Sequence, residues 1–162
     1  MRSAPHVPAL VVALCVIFLG SASAGTASTA TSLCSSAVQR GALPVWARGG
    51  FHPPTQRIPH VLGRSRAIVA ILFSYPLRAS PPARHPANKI LWVSRISVNS
   101  RTNLWIAAHR MSGTRSLGKP VWRVVKGGPG PSFVDLPAGC WRLSLRWAGR
   151  SDSLDLRYRS RP

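Results

Sequence analysis

The stretch Cys140-Trp141-Arg142-Leu143-Ser144-Leu145-Arg146-Trp147, followed after a short turn by Ser153-Leu154-Asp155-Leu156-Arg157-Tyr158-Arg159, decides the fold. Apolar and polar residues alternate in both halves, the period-2 pattern of strands with one buried face. Trp141, Leu143, Leu145 and Trp147 share one side of the first strand, and Leu154, Leu156 and Tyr158 one side of the second. Keeping apolar opposite apolar, with the shortest comfortable loop, predicts Trp147 opposite Leu154, Leu145 opposite Leu156 and Leu143 opposite Tyr158. The water-facing side then pairs Arg146 with Asp155 as a structural ion pair and carries Arg142, Arg157 and Arg159 as a cationic stripe.

Upstream of this hairpin, Pro and Gly punctuate short segments rich in Val, Ile, Leu and Trp, and helical periodicity is missing. The segments expected as strands are Ile58 to Leu62, Ala67 to Tyr75, Lys89 to Ile96, Asn103 to Met111, Pro120 to Lys126 and Ser132 to Leu136, ahead of the hairpin's own two. About seven or eight short strands in one domain predict an all-β fold, an antiparallel β-sandwich of two packed sheets. Ala67 to Phe73 is apolar on both faces and reads as a central strand. The hydrophobic fraction of 45% is enough for a packed core.

The N-terminus reads as an export signal. Met1-Arg2-Ser3 precedes an apolar run from Val7 to Gly20, and small residues end at Ala22-Ser23-Ala24. That run is shorter than the 18 or so residues of a membrane-spanning helix, so cleavage after Ala24 is expected rather than a retained anchor. Residues 1–24 are thus the signal peptide, 25–42 a flexible Ala/Ser/Thr-rich leader and 43–162 the sandwich domain. Cleavage removes Cys15 and leaves Cys34 and Cys140, expected as a disulfide in an oxidising compartment. Lipidation at Cys34, which would want a small residue where Leu33 stands, and a pair of free thiols are the competing readings.

Several strings, in this order and spacing, resemble a family of small, uncharacterised exported proteins from actinobacteria. They are Leu43-Pro44-Val45-Trp46-Ala47-Arg48, Pro59-His60-Val61-Leu62-Gly63, Ala70-Ile71-Leu72-Phe73-Ser74-Tyr75-Pro76-Leu77, Asn88-Lys89-Ile90-Leu91-Trp92-Val93-Ser94-Arg95, and Gly127-Gly128-Pro129-Gly130-Pro131-Ser132 with Gly139-Cys140-Trp141-Arg142-Leu143. The resemblance spans about Leu43 to Tyr158 and implies export and an immunoglobulin-like β-sandwich, but no activity.

Catalytic chemistry has few candidates. The acids are Asp135, Asp152 and Asp155, without any Glu, and Asp152 fits a turn residue that bonds its own backbone. His52, His60, His85 and His109 lack metal-pair spacing, and no Gly-x-Ser-x-Gly elbow occurs. No catalytic residue, metal ligand, cofactor or small-molecule substrate is assigned on these grounds. Against three acids stand 22 Lys and Arg residues, a net charge of +19. Such a potential attracts polyanions: anionic wall polymer, acidic lipid headgroups or extracellular nucleic acid. The candidate anion-binding residues are Arg142, Arg157 and Arg159 on the hairpin, with Arg78 and Arg84 on the long Pro-rich connection 76–87. Trp92, Trp105 and Trp122 are candidate stacking platforms, with core packing as the ordinary alternative. The expectation is a monomeric, non-enzymatic module, secreted or associated with the envelope. A secreted enzyme and a cationic membrane-active factor are the alternatives, the latter wanting a basic amphipathic helix that the sequence lacks.

Overall fold

The computed structural model describes residues 34, 36–53, 57–79 and 88–160; the signal segment 1–24 and Arg84 lie outside them. Eight strands follow in chain order: β1 (His60–Leu62), β2 (Ile68–Leu72), β3 (Lys89–Ser94), β4 (Leu104–Ser112), β5 (Arg115–Val125), β6 (Pro131–Phe133), β7 (Gly139–Trp147) and β8 (Arg150–Tyr158). They form two four-stranded sheets, ordered β1-β2-β3-β6 and β5-β4-β7-β8, with every pair antiparallel. The fold is the expected β-sandwich, without an α-helix among the described residues. Its strand order is its own: β2 and β3 are neighbours in one sheet, whereas immunoglobulin domains place their second and third strands in opposite sheets. The likeness to those domains extends to the two-sheet architecture.

Alternation along each strand builds the core between the sheets. Ile68, Ala70, Leu72, Ile90 and Trp92 from one side meet Leu104, Ile106, Leu143, Leu145, Trp147, Leu154 and Tyr158 from the other, all fully or nearly fully buried. Each large buried aromatic places its polar atom on a partner. Trp92 Nε1 donates to Ser132 Oγ at 3.0 Å, Trp147 Nε1 to Ser94 Oγ at 3.0 Å, and the Tyr158 hydroxyl to the Val134 carbonyl at 2.6 Å.

The sheets' outer faces differ. Val69 and Ile71 point away from the main core, yet both are buried beneath Leu43, Trp46, Ala47 and Phe51. The double-sided apolar pattern of β2 therefore has a specific cause: the N-terminal segment closes over the outside of the first sheet. Among the described residues nothing comparable covers Trp105 and Trp122, which lie on β4 and β5 of the second sheet, 49% and 60% exposed.

The hairpin register differs from expectation. Trp147 pairs with Arg150, Leu145 with Asp152, Leu143 with Leu154 and Arg142 with Asp155, a slip of four residues that keeps the two faces unchanged. A two-residue turn sets it, with Ala148 at φ 44° and Gly149 at φ 70°. That left-handed pair twists as adjacent strands do, so the tightest loop wins over a longer one. The expected Arg146–Asp155 ion pair is accordingly replaced by one between Arg142 and Asp155.

Within the leader's described residues, backbone pairing accompanies the expected disulfide. Gln39 pairs with His60 and Ala42 with Arg57 by isolated bridges, and Cys34 is bonded to Cys140 with their Cα atoms 5.5 Å apart.

Candidate functional site

All three acids serve structural partners. Asp152, at the edge of the second sheet, accepts the backbone N–H groups of Ser65, Ala67 and Ser153 at 3.0, 3.0 and 2.7 Å. It bonds its own neighbour as the sequence suggested and also fixes the β1–β2 loop across the sandwich edge. A Cβ on Gly63 would fall on this carboxylate, so the loop's approach requires glycine there. Asp155 has a side chain with no exposure, and its carboxylate accepts from Arg142 Nε at 3.0 Å, Arg142 Nη2 at 3.3 Å and Arg64 Nη2 at 3.2 Å. The hydrogen bond to Asp155 raises the Arg142 pKa further above its ordinary value, outweighing the effect of desolvation. Asp135 accepts from the Asn88 amide at 2.8 Å.

Arg142 is therefore corrected as a candidate anion-binding residue: its guanidinium is engaged by a buried carboxylate. The other described candidates come together. At the end of β8 the Arg159 N–H donates to the Leu77 carbonyl at 2.9 Å, and the Ala79 N–H to the Arg159 carbonyl at 2.8 Å, a parallel bridge that sets Arg78 beside Arg159. Buried Asn88 clamps the same point, accepting the Arg78 N–H at 2.9 Å and donating to the Arg78 carbonyl at 2.8 Å. Leu77, 1% exposed, anchors the chain in the core one residue earlier. Arg78, Arg157 and Arg159 then line one cleft of about 810 Å³ with Gly139, Tyr158 and Ser160. Among the described residues no carboxylate side chain lines it.

Three guanidiniums give the cleft its chemistry. Each is a planar fork of donors that matches phosphate or carboxylate oxygens. Like charges gathered in one cleft repel one another, a repulsion that an entering anion relieves. Tyr158, whose phenol pKa is pushed up by burial, first of all, and by the nearby Asp135 charge, stays protonated and supports the cleft floor through Val134.

Among the candidate stacking residues, Trp92 is core, whereas Trp105 and Trp122 reach solvent. His60 is buried with Nδ1 donating to the Ile58 carbonyl at 2.8 Å, a packing role. The Asn88 clamp was missed from sequence; its only signal was an amide at the end of a long Pro-rich connection. The described residues include no cluster of metal-binding side chains and no helix long and apolar enough to cross a membrane. Comparison with protein-family models, curated proteins and solved structures finds no match to this chain.

Proposed function

We propose that this chain is an exported, non-enzymatic envelope or extracellular module that binds anionic polymer through Arg78, Arg157 and Arg159. The observation that carries this reading is the cleft lined by three arginines, with no acid among its described residues, in a chain whose three Asp side chains all serve structural partners. Export is supported by the signal-like N-terminus and by a disulfide of the kind that persists in oxidising compartments. Anionic wall polymer, acidic headgroups and nucleic acid share the relevant chemistry, a row of phosphate or carboxylate oxygens. Net charge of the same sign on every copy favours the monomer.

The test compares the exported protein with a variant carrying Arg78→Gln, Arg157→Gln and Arg159→Gln. Both are titrated with long-chain inorganic polyphosphate, anionic phospholipid vesicles and double-stranded DNA at several salt concentrations. Each lost phosphate contact flattens the slope of log K against log salt by about 0.7 to 0.9, so a loss of about 2 to 2.7 is expected for the preferred polymer. An unchanged affinity and slope would show that the cleft is not the site.

A further inference from the structure

The outer face of the second sheet carries a second feature, away from the arginine cleft. Leu104 and Ile106 are fully buried, so strand alternation turns Trp105 outward. In the β4–β5 ladder Trp105 stands opposite Val124 and Ala107 opposite Trp122, which makes the two indoles diagonal neighbours on one face. Across the other ladder Trp105 stands opposite Arg146. Arg146 and Arg150 join Trp105, Thr102, Asn103 and Ser151 around an open cavity of about 680 Å³.

Soluble chains seldom leave a pair of tryptophans on the uncovered face of a sheet without a use. Here the flanking charge selects the occupant. Arg146 is exposed and makes no ion pair among the described residues. The carboxylate on this face, Asp155, is already held by Arg142 and Arg64. The surface therefore offers π faces and cations, while its acid is engaged. Sugar rings, each with several hydroxyl donors, call for acceptors. Phosphates joined to planar rings call for cations and stacking surfaces. A duplex keeps its base faces stacked inside, so only an unpaired strand can present them.

We infer that the Trp105–Trp122 face, with Arg146 and Arg150, is a stacking surface for single-stranded nucleic acid. The inference rests on the polyanion reading for its charge and adds the ligand's planar rings. A strand laid across β4 and β5 stacks successive bases on the two indoles while the guanidiniums meet its phosphates.

Fluorescence anisotropy tests this with the exported protein and three labelled probes: a 15-nucleotide oligo(dT), an abasic strand of the same length, and inorganic polyphosphate. Wild-type protein is expected to prefer oligo(dT). Trp105→Ala with Trp122→Ala should weaken oligo(dT) binding by about 25-fold or more and leave the other two probes unchanged. Trp105→Phe with Trp122→Phe should restore most of the loss. If the double alanine variant binds oligo(dT) like wild type while polyphosphate still binds, the stacking surface is wrong and the polyanion reading stands. If the wild type binds none of the probes, both fall. Tighter, tryptophan-dependent binding of an acidic glycan such as polygalacturonate would overturn the assignment to nucleic acid. A dimer that these substitutions dissolve, seen by sedimentation, would overturn it in favour of self-association.

Discussion

Arg142→Gln and Arg146→Gln should differ sharply in stability, although the two arginines lie four residues apart on the same face of β7. Arg142 gives two hydrogen bonds, at 3.0 and 3.3 Å, to a carboxylate with no exposure, and its removal takes both from Asp155 while the Arg64 contact stays. Hydrogen bonds to charged groups are worth about 1.5 to 3 kcal/mol each, and stripping one partner from a buried ion pair costs about 3 to 5 kcal/mol. The Arg142 side chain is 29% exposed, so water recovers part of this and the net cost should be about 2 to 3 kcal/mol. Arg146→Gln, on an exposed residue, should stay within about 0.5 kcal/mol. Urea unfolding followed by tryptophan fluorescence measures both, with an unchanged m-value confirming that only stability moved. The raised pKa of Arg142 means that its contribution is fully present below the ordinary arginine pKa and is lost only as pH rises through the still higher folded value. The gap between wild type and Arg142→Gln should therefore be flat from about pH 7 to 11. Equal costs for the two variants, or the larger cost at Arg146, would refute the observed register and the reasoning built on it.

Replacing Cys34 and Cys140 together by Ala should lower stability by up to about 4.7 kcal/mol, because the bond closes a loop with a sequence separation of 106; thermal unfolding with and without reductant checks this. Gly63→Ala should cost about 2 to 4 kcal/mol by displacing Asp152 from the Ser65 and Ala67 amides, measured as a drop in urea midpoint, with amide exchange quickening at those two residues. Asn88→Ala should weaken polyphosphate binding in the arginine cleft even under conditions where the protein remains folded, because it removes both hydrogen bonds that hold the Arg78 backbone; calorimetric titration of the folded variant measures the loss.

Strand existence was legible because each strand carries a local signal: alternation in β7 and β8, and an apolar run in β2. Faces were legible for the same reason, and so was the disulfide, since the expected loss of Cys15 with a signal peptide would leave two cysteines to pair. Register was not. Parity constrains it only to steps that preserve the faces, and the deciding fact is the left-handed conformation available at Ala148-Gly149. The slip misassigned Asp155's partner and placed Arg142 among the anion-binding candidates. Arg64 could not be anticipated at all, because it comes from the β1–β2 loop, 91 residues away in sequence. The cleft was legible as a set of arginines but not as a place: Arg78 reaches Arg159 only through a parallel bridge between a loop and a strand end. The exposure of Trp105 and Trp122 depends on which sheet the N-terminal segment covers, a tertiary choice that alternation does not encode.

The most direct test of the polyanion reading is an NMR titration of the protein with inorganic polyphosphate, following the guanidinium Nε–H resonances of its arginines. The account expects those of Arg78, Arg157 and Arg159 to shift first and together at low polymer concentration, while Arg142, held by Asp155, stays in place. Shifts spread evenly over all exposed arginines, or absent from these three, would contradict it and leave the charge as a general property of the surface.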